Sequence, residues 1–142
     1  MSVLPTIEEE FMLTGKAKLQ VRPIAFLGEN SGLAAQAAEC ANEQGRFWQF
    51  HDVLYANQGE KGSDAFSPGN LRRFADALDM DSAAFALCLD SGRYASMVAN
   101  ETDAANQVGV TRTPTIFVNG TEAMSGLEEM RAAIERSLPA ES

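Results

Sequence analysis

Four residues stand out for what they could do chemically or geometrically: Cys40, Cys88, His51 and Pro114. A thiol can bind a metal, form a disulfide or attack one, and attack needs a thiolate, favoured at a helix amino terminus or beside a cation. Cys40 follows Ala-Ala-Glu and Cys88 sits within FALCL. Both fall inside predicted helices rather than at their starts, so nothing in the sequence activates either one. Two cysteines and a single histidine make a poor zinc set at this spacing, and no metal or other cofactor is expected. The residues leave two readings of the cysteines open, a pair of buried free thiols and one structural bridge between two helices. His51 could move a proton near neutral pH. Within FWQFHDVLYANQ, however, it lies among Phe47, Trp48, Phe50 and Tyr55, the setting of a packed helix, and no acid–base role is assigned to it. In TRTPTIFVNG, Pro114 stands directly ahead of an apolar strand although proline cannot donate to a sheet ladder, so its use there must be geometric.

The elements around these residues follow from periodicity and punctuation. Leu4, Ile7 and Phe11 recur at helical spacing, with Glu8 to Glu10 on the other face and Gly15 as a stop. Residues 18–27, KLQVRPIAFL, alternate as an edge strand in which Pro23 removes a solvent-facing donor. Helices are predicted over 33–44, ended by Gly45, and over FWQFHDVLYANQ. Ser67-Pro68 opens the next helix, Asp81 or Ser82 caps another, and residues 93–108 continue as helix to Gly109. Thr115 to Val118 reads as a strand, Asn119-Gly120 as a two-residue hairpin turn and Thr121 to Met124 as the returning strand. Ser125 and Glu128 are spaced as a capping box for a last helix over 127–138. The order predicts an α/β domain with helices inserted between two halves of a small sheet.

Composition narrows the function. With 142 residues, 45% of them hydrophobic, the chain suits one globular domain. Twenty acidic against eleven basic residues give a net charge of -9, which repels phosphate backbones and anionic membrane surfaces. Nucleic-acid binding is therefore excluded as an expectation. No apolar run approaches a membrane span, and MSVLPTIEEEF has neither the basic start nor the apolar core of a signal peptide. Asn100-Glu101-Thr102 and Asn119-Gly120-Thr121 match the glycosylation pattern, which is short enough to arise by chance.

Three stretches together resemble the DsbA-like branch of the thioredoxin superfamily, the extracytoplasmic thiol-disulfide oxidoreductases. They are LPTIEEEF with KLQVRPIAFL, CANEQGRFWQFHDVLYANQ, and NQVGVTRTPTIFVNG with its closing helix. The resemblance implies a thioredoxin-like α/β fold for residues 1–142, with a helical insertion over 33–108 and a cis-proline loop, β-hairpin and last helix over 109–138. It places Thr113 and Pro114 at a substrate-binding bend, where an extended peptide could pair as an added strand. It also favours the bridge for Cys40 and Cys88. The family's Cys-x-x-Cys is absent from this sequence. No catalytic residue is therefore assigned, the first strand is expected to be missing, and the chain is expected to be amino-terminally truncated and inactive alone. Implied partners are extended or unfolded proteins carrying thiols or disulfides, with a homodimer through exposed sheet edges as a further expectation, and the implied location is the periplasm or cell envelope. Two other readings remain. One is a non-catalytic peptide-binding or chaperone module, and the other is a glutathione-transferase-like relative using Ser2.

Overall fold

The computed structural model describes residues 3–25, 29–59, 64–112, 114–124 and 126–139. The chain forms two compact units, Arg22–Val108 and the pair of segments Met1–Val21 with Gly109–Ser142.

In the Arg22–Val108 unit five helices follow one another: α2 (Glu29–Asn42), α3 (Phe47–Ala56), α4 (Pro68–Ala77), α5 (Ser82–Asp90) and α6 (Ala95–Gln107). Their starts follow from local chemistry. The Ser67 hydroxyl accepts from the Asn70 N–H at 3.4 Å with Pro68 in the first turn, where its missing N–H costs nothing. The Asp81 carboxylate accepts from the Ala84 N–H at 3.0 Å. A reciprocal pair, Asp81 N–H to Gln44 Oε1 and Gln44 Nε2 to the Asp81 carbonyl, ties this cap to the end of α2. The core is built around α2, whose Ala34, Ala37, Ala38 and Ala41 form a flat apolar face on which larger side chains close. Phe50, Leu71 and Phe85 fill the space over it, with the Phe50 and Phe85 rings 5.5 Å apart.

The other unit opens with α1 (Val3–Ile7), which widens into a π-helical turn over Glu8–Met12 in which the Leu13 N–H reaches back to the Glu8 carbonyl at 2.9 Å. Gly15, at φ +74°, ends it in a conformation that suits a residue without a side chain. β1 (Ile116–Val118) and β2 (Thr121–Ala123) form an antiparallel hairpin in the register Ile116 to Ala123, Phe117 to Glu122 and Val118 to Thr121. Asn119 and Gly120 both have positive φ, +50° and +84°, as the tight mirror-image turn requires. α7 (Leu127–Ser137) follows. Ile7 and Phe11 pack with Met130 and Ile134, and Ile116, Val118 and Leu127 close that small core.

Two expectations change. Residues 18–25 join no ladder, and the only sheet among the described residues is the β1–β2 hairpin; positions 26 and 27 lie outside them. Alternation records which faces differ, and a strand needs a partner as well. The segment contacts α6 instead: the Ala25 N–H donates to Thr102 Oγ1 at 3.1 Å, and the Arg22 side chain sits 3.6 Å from Glu101. The second change is at α7. Its amino-terminal cap is Gly126 without a side-chain hydrogen bond and Glu128 pairs with Arg131, while Ser125, the other half of the expected capping box, lies outside the described residues.

Candidate functional site: the Pro114 turn and its hairpin

Pro114 is exposed at the entrance to β1. Thr113, expected beside it, lies outside the described residues, and with it the geometry of the bond that joins the two. On the upstream side Val110 is buried. On the downstream side the Thr115 hydroxyl donates to the Arg112 carbonyl at 2.6 Å, closing the chain into a turn around Pro114. Arg112 lies 3.7 Å from Glu122 on β2. Both side chains are well exposed, so the pair contributes little stability.

β1 places its side chains in alternation. Ile116 and Val118 enter the small core, whereas Phe117 faces out and is 45% exposed. One edge of β1 is paired with β2. Its other edge has no ladder partner among the described residues. On the other side of the hairpin a groove of about 610 Å³ runs between β2 and α7, lined in part by Thr121, Glu122, Met124, Glu128 and Arg136.

The hairpin's supporting helix is locked to the amino-terminal segment by an ionic fork. Arg131 donates from Nε to Glu10 Oε2 at 2.8 Å and from a terminal nitrogen to Glu10 Oε1 at 2.6 Å, and its remaining nitrogen meets Glu128. The guanidinium's hydrogen bonds hold the Glu10 carboxyl below its ordinary value, and the two carboxylates push the Arg131 pKa up. Sequence reasoning missed this fork. Glu10 and Arg131 are 121 positions apart, and no local pattern pairs them.

Cys40 and Cys88 form a disulfide that joins α2 to α5, with Cα atoms 5.9 Å apart. Both residues are 1% exposed and belong to the helical core. Cys40 lies in the last turn of α2 and Cys88 in the last turn of α5, the negative ends of those helices, where thiolate is disfavoured. Nearby on the same unit, Arg93 and Tyr94 both donate to Glu43, at 2.7 Å each, and hold its carboxyl below the usual range. Glu39 is shifted the other way, raised by burial and then by the charge of Glu101.

His51 is packed between Trp48 and Tyr55, ring centroids 5.5 and 4.6 Å away, with Nδ1 3.3 Å from the Asp52 carboxylate. It lies on the helical unit. Among the described residues no group of three or more His, Cys, Asp or Glu could hold a metal ion, and no helix is long and apolar enough to cross a membrane.

Comparison with known proteins gives this geometry a family. A solved structure of oxidised BdbD from Bacillus subtilis superposes with a TM-score of 0.83 at 27% identity, over 94% of this chain and 75% of that one. A probable disulfide bond formation protein D from Bacillus cereus is 29% identical over 142 aligned positions, covering 97% of this chain and 66% of the relative. Na(+)/H(+) antiporter NhaA 3 of Salinispora tropica is 42% identical over 98 residues, 69% of this chain but 14% of the antiporter. The chain thus spans just under two thirds of the first of these relatives and about a seventh of the second. The fold is thioredoxin-like, mostly helical with a two-stranded sheet among the described residues, and similar to that of BdbD. With residues 1–136 matching the family described as Thioredoxin, the chain belongs to the thioredoxin family.

Proposed function

We propose that this protein works in protein disulfide exchange as a DsbA-like member of its family, and that these 142 residues supply the substrate-facing side of the site. The observation that carries the reading is the likeness to BdbD over 94% of the chain, in which Pro114 opens β1 with one edge left unpaired among the described residues. An extended peptide would lie beside Thr113 and Pro114 and hydrogen-bond to that edge as an added strand. Its own thiols or disulfides would supply the reacting sulfur. The exchanging protein sulfurs are not among these residues, because the only two cysteines are locked together in the helical core. The chain alone is therefore inactive.

In this reading residues 33–108 are a helical insertion and 109–138 carry the proline loop, hairpin and closing helix of one domain. The reaction belongs outside the cytoplasm, where a disulfide such as Cys40–Cys88 persists. The same free edge is where a second copy would add to form a dimer. Relatives named for disulfide bond formation support exchange over a purely non-catalytic peptide binder or a glutathione-transferase-like protein.

The test has two arms. An extended cysteine-containing peptide, titrated into labelled protein, is expected to shift backbone resonances at 112–118 and leave α3 and α4 unmoved. In an insulin-reduction assay the chain is expected to match the uncatalysed background, with or without Cys40→Ser and Cys88→Ser. Turnover that survives loss of both cysteines, or a peptide titration that moves nothing near Pro114, would overturn the proposal.

A further inference from the structure

The disulfide inside the helical unit has a consequence for the protein's own history. We infer that the Cys40–Cys88 bridge is made by an external disulfide before this unit closes, and that the closed unit seals it against thiols. The protein is then a client of disulfide-forming chemistry as well as a relative of proteins that perform it.

The argument starts from access. Exchange requires a thiolate to reach one sulfur along the line of the S–S bond, with the other sulfur leaving. Cys40 and Cys88 are each 1% exposed, and around them Ala37, Ala41, Phe50 and Leu71 are fully buried. With both cysteines sealed inside one close-packed cluster, a path to sulfur opens when the packing around α2 and α5 loosens. α2 packs on α3, α4, α5 and α6, which makes displacement of α2 equivalent to opening the unit.

The reduced state is closed to oxidation for a related reason. In the folded dithiol both groups would sit at helix carboxyl ends inside an apolar core, and each of these factors opposes ionisation. In an open chain neither factor operates. One cysteine thiolate then attacks an external disulfide, forming a mixed disulfide and releasing one thiolate. The second cysteine, deprotonated, attacks the sulfur of the first and expels the other thiolate. The two protein thiols lose two electrons and two protons, and the external disulfide leaves as two thiols.

The experiment is a rate measurement on the intact oxidised chain. Dithiothreitol is added across a urea series below the unfolding transition, and free thiols are trapped by alkylation and counted by mass. Reduction without urea is expected to be at least ~10³-fold slower than in the urea-unfolded chain, with the rate climbing as urea raises the open population. A Phe50→Leu variant, which loosens the core without touching either cysteine, should accelerate reduction by the factor that its stability falls. A reduction rate independent of urea, or within tenfold of that of the unfolded chain, would overturn the inference. A second arm refolds reduced protein with oxidised glutathione added before or after dilution from urea. Where circular dichroism shows that the reduced chain has refolded, faster bridge formation when glutathione is added first supports the inference, and equal rates refute it. If the reduced chain fails to fold, the reduction arm still decides, because it starts from folded protein.

Discussion

Replacing both bridge residues, Cys40→Ala with Cys88→Ala, should destabilise the helical unit more than any single surface change. The bridge spans a sequence separation of 48 residues, and holding such a loop closed in the unfolded chain corresponds to about 4 kcal/mol in the chain-entropy account. Alanine is the appropriate replacement, since a buried serine hydroxyl without a partner would add about 1–3 kcal/mol of its own and obscure the result. Truncating two sulfurs inside a close-packed core adds roughly 1 kcal/mol for the voids left behind. The total approaches 5 kcal/mol, the lower end of the roughly 5–15 kcal/mol that holds an ordinary domain folded. Urea titration followed by far-ultraviolet circular dichroism measures it. With a slope of about 2 kcal/mol per molar, the midpoint should fall by roughly 2.5 M. Oxidised wild-type protein treated with a reductant in urea and then refolded should resemble the double variant. A midpoint shift below about 0.5 M would refute the reasoning, because it would mean that the bridge constrains a chain already constrained by residual structure.

Other outcomes follow from single contacts. Phe50→Ala removes a fully buried ring that meets Phe85 and Phe74, and should cost about 3–5 kcal/mol by the same titration. Gly120→Ala forces a side chain into the left-handed region at φ +84°, and should cost at least about 1 kcal/mol and broaden the amide signals of β1 and β2. Arg131→Met removes the guanidinium from Glu10, and the Glu10 carboxyl should then titrate higher by carbon-detected NMR.

Legibility tracked the range of the interaction responsible. Ser67, Pro68 and Asp81 marked helix starts because a cap acts within three residues, and Asn119-Gly120 marked the hairpin because the turn is made by those two residues alone. The segment at 18–27 was read as a strand since alternation records which faces differ, whereas pairing depends on a partner elsewhere. The π-helical turn at Glu8–Met12 had no signature either, as its wider hydrogen bonding departs from the helical spacing that Leu4, Ile7 and Phe11 suggested. Near the proposed site, Pro114 and Ile116 to Val118 were legible from composition, but the groove against α7 and the Glu10–Arg131 fork arise from segments brought together by folding. The residues left the cysteines open between free thiols and a bridge, and only the family resemblance favoured the bridge that the structure contains, because nothing beside Cys40 identifies α5 as its neighbour.

The charged contacts imply that the two units respond differently to acid. Glu39 has its pKa raised by burial and by Glu101, so its native form binds a proton at a pH where the unfolded chain does not. Stability of the helical unit should therefore rise as pH falls through the folded-state pKa of Glu39, and this gain should be complete at the unfolded value near 4.5. Glu10 and Glu43 are lowered, chiefly by hydrogen bonds from Arg131 and Arg93. Their contributions are fully present above about 4.5 and are lost as pH falls through their folded-state values. Glu43 belongs to the helical unit and Glu10 to the hairpin unit. The helical unit should thus pass through a stability maximum in mild acid, while the contribution of Glu10 gives the hairpin unit a loss and no such gain. Trp48, the sole tryptophan, reports on the first by fluorescence, and amide exchange at β1 and β2 reports on the second. In Glu39→Gln the maximum should vanish with the acid-side fall retained. A maximum that persists in that variant would show that some other group carries the buried charge, and would remove Glu39 from the account.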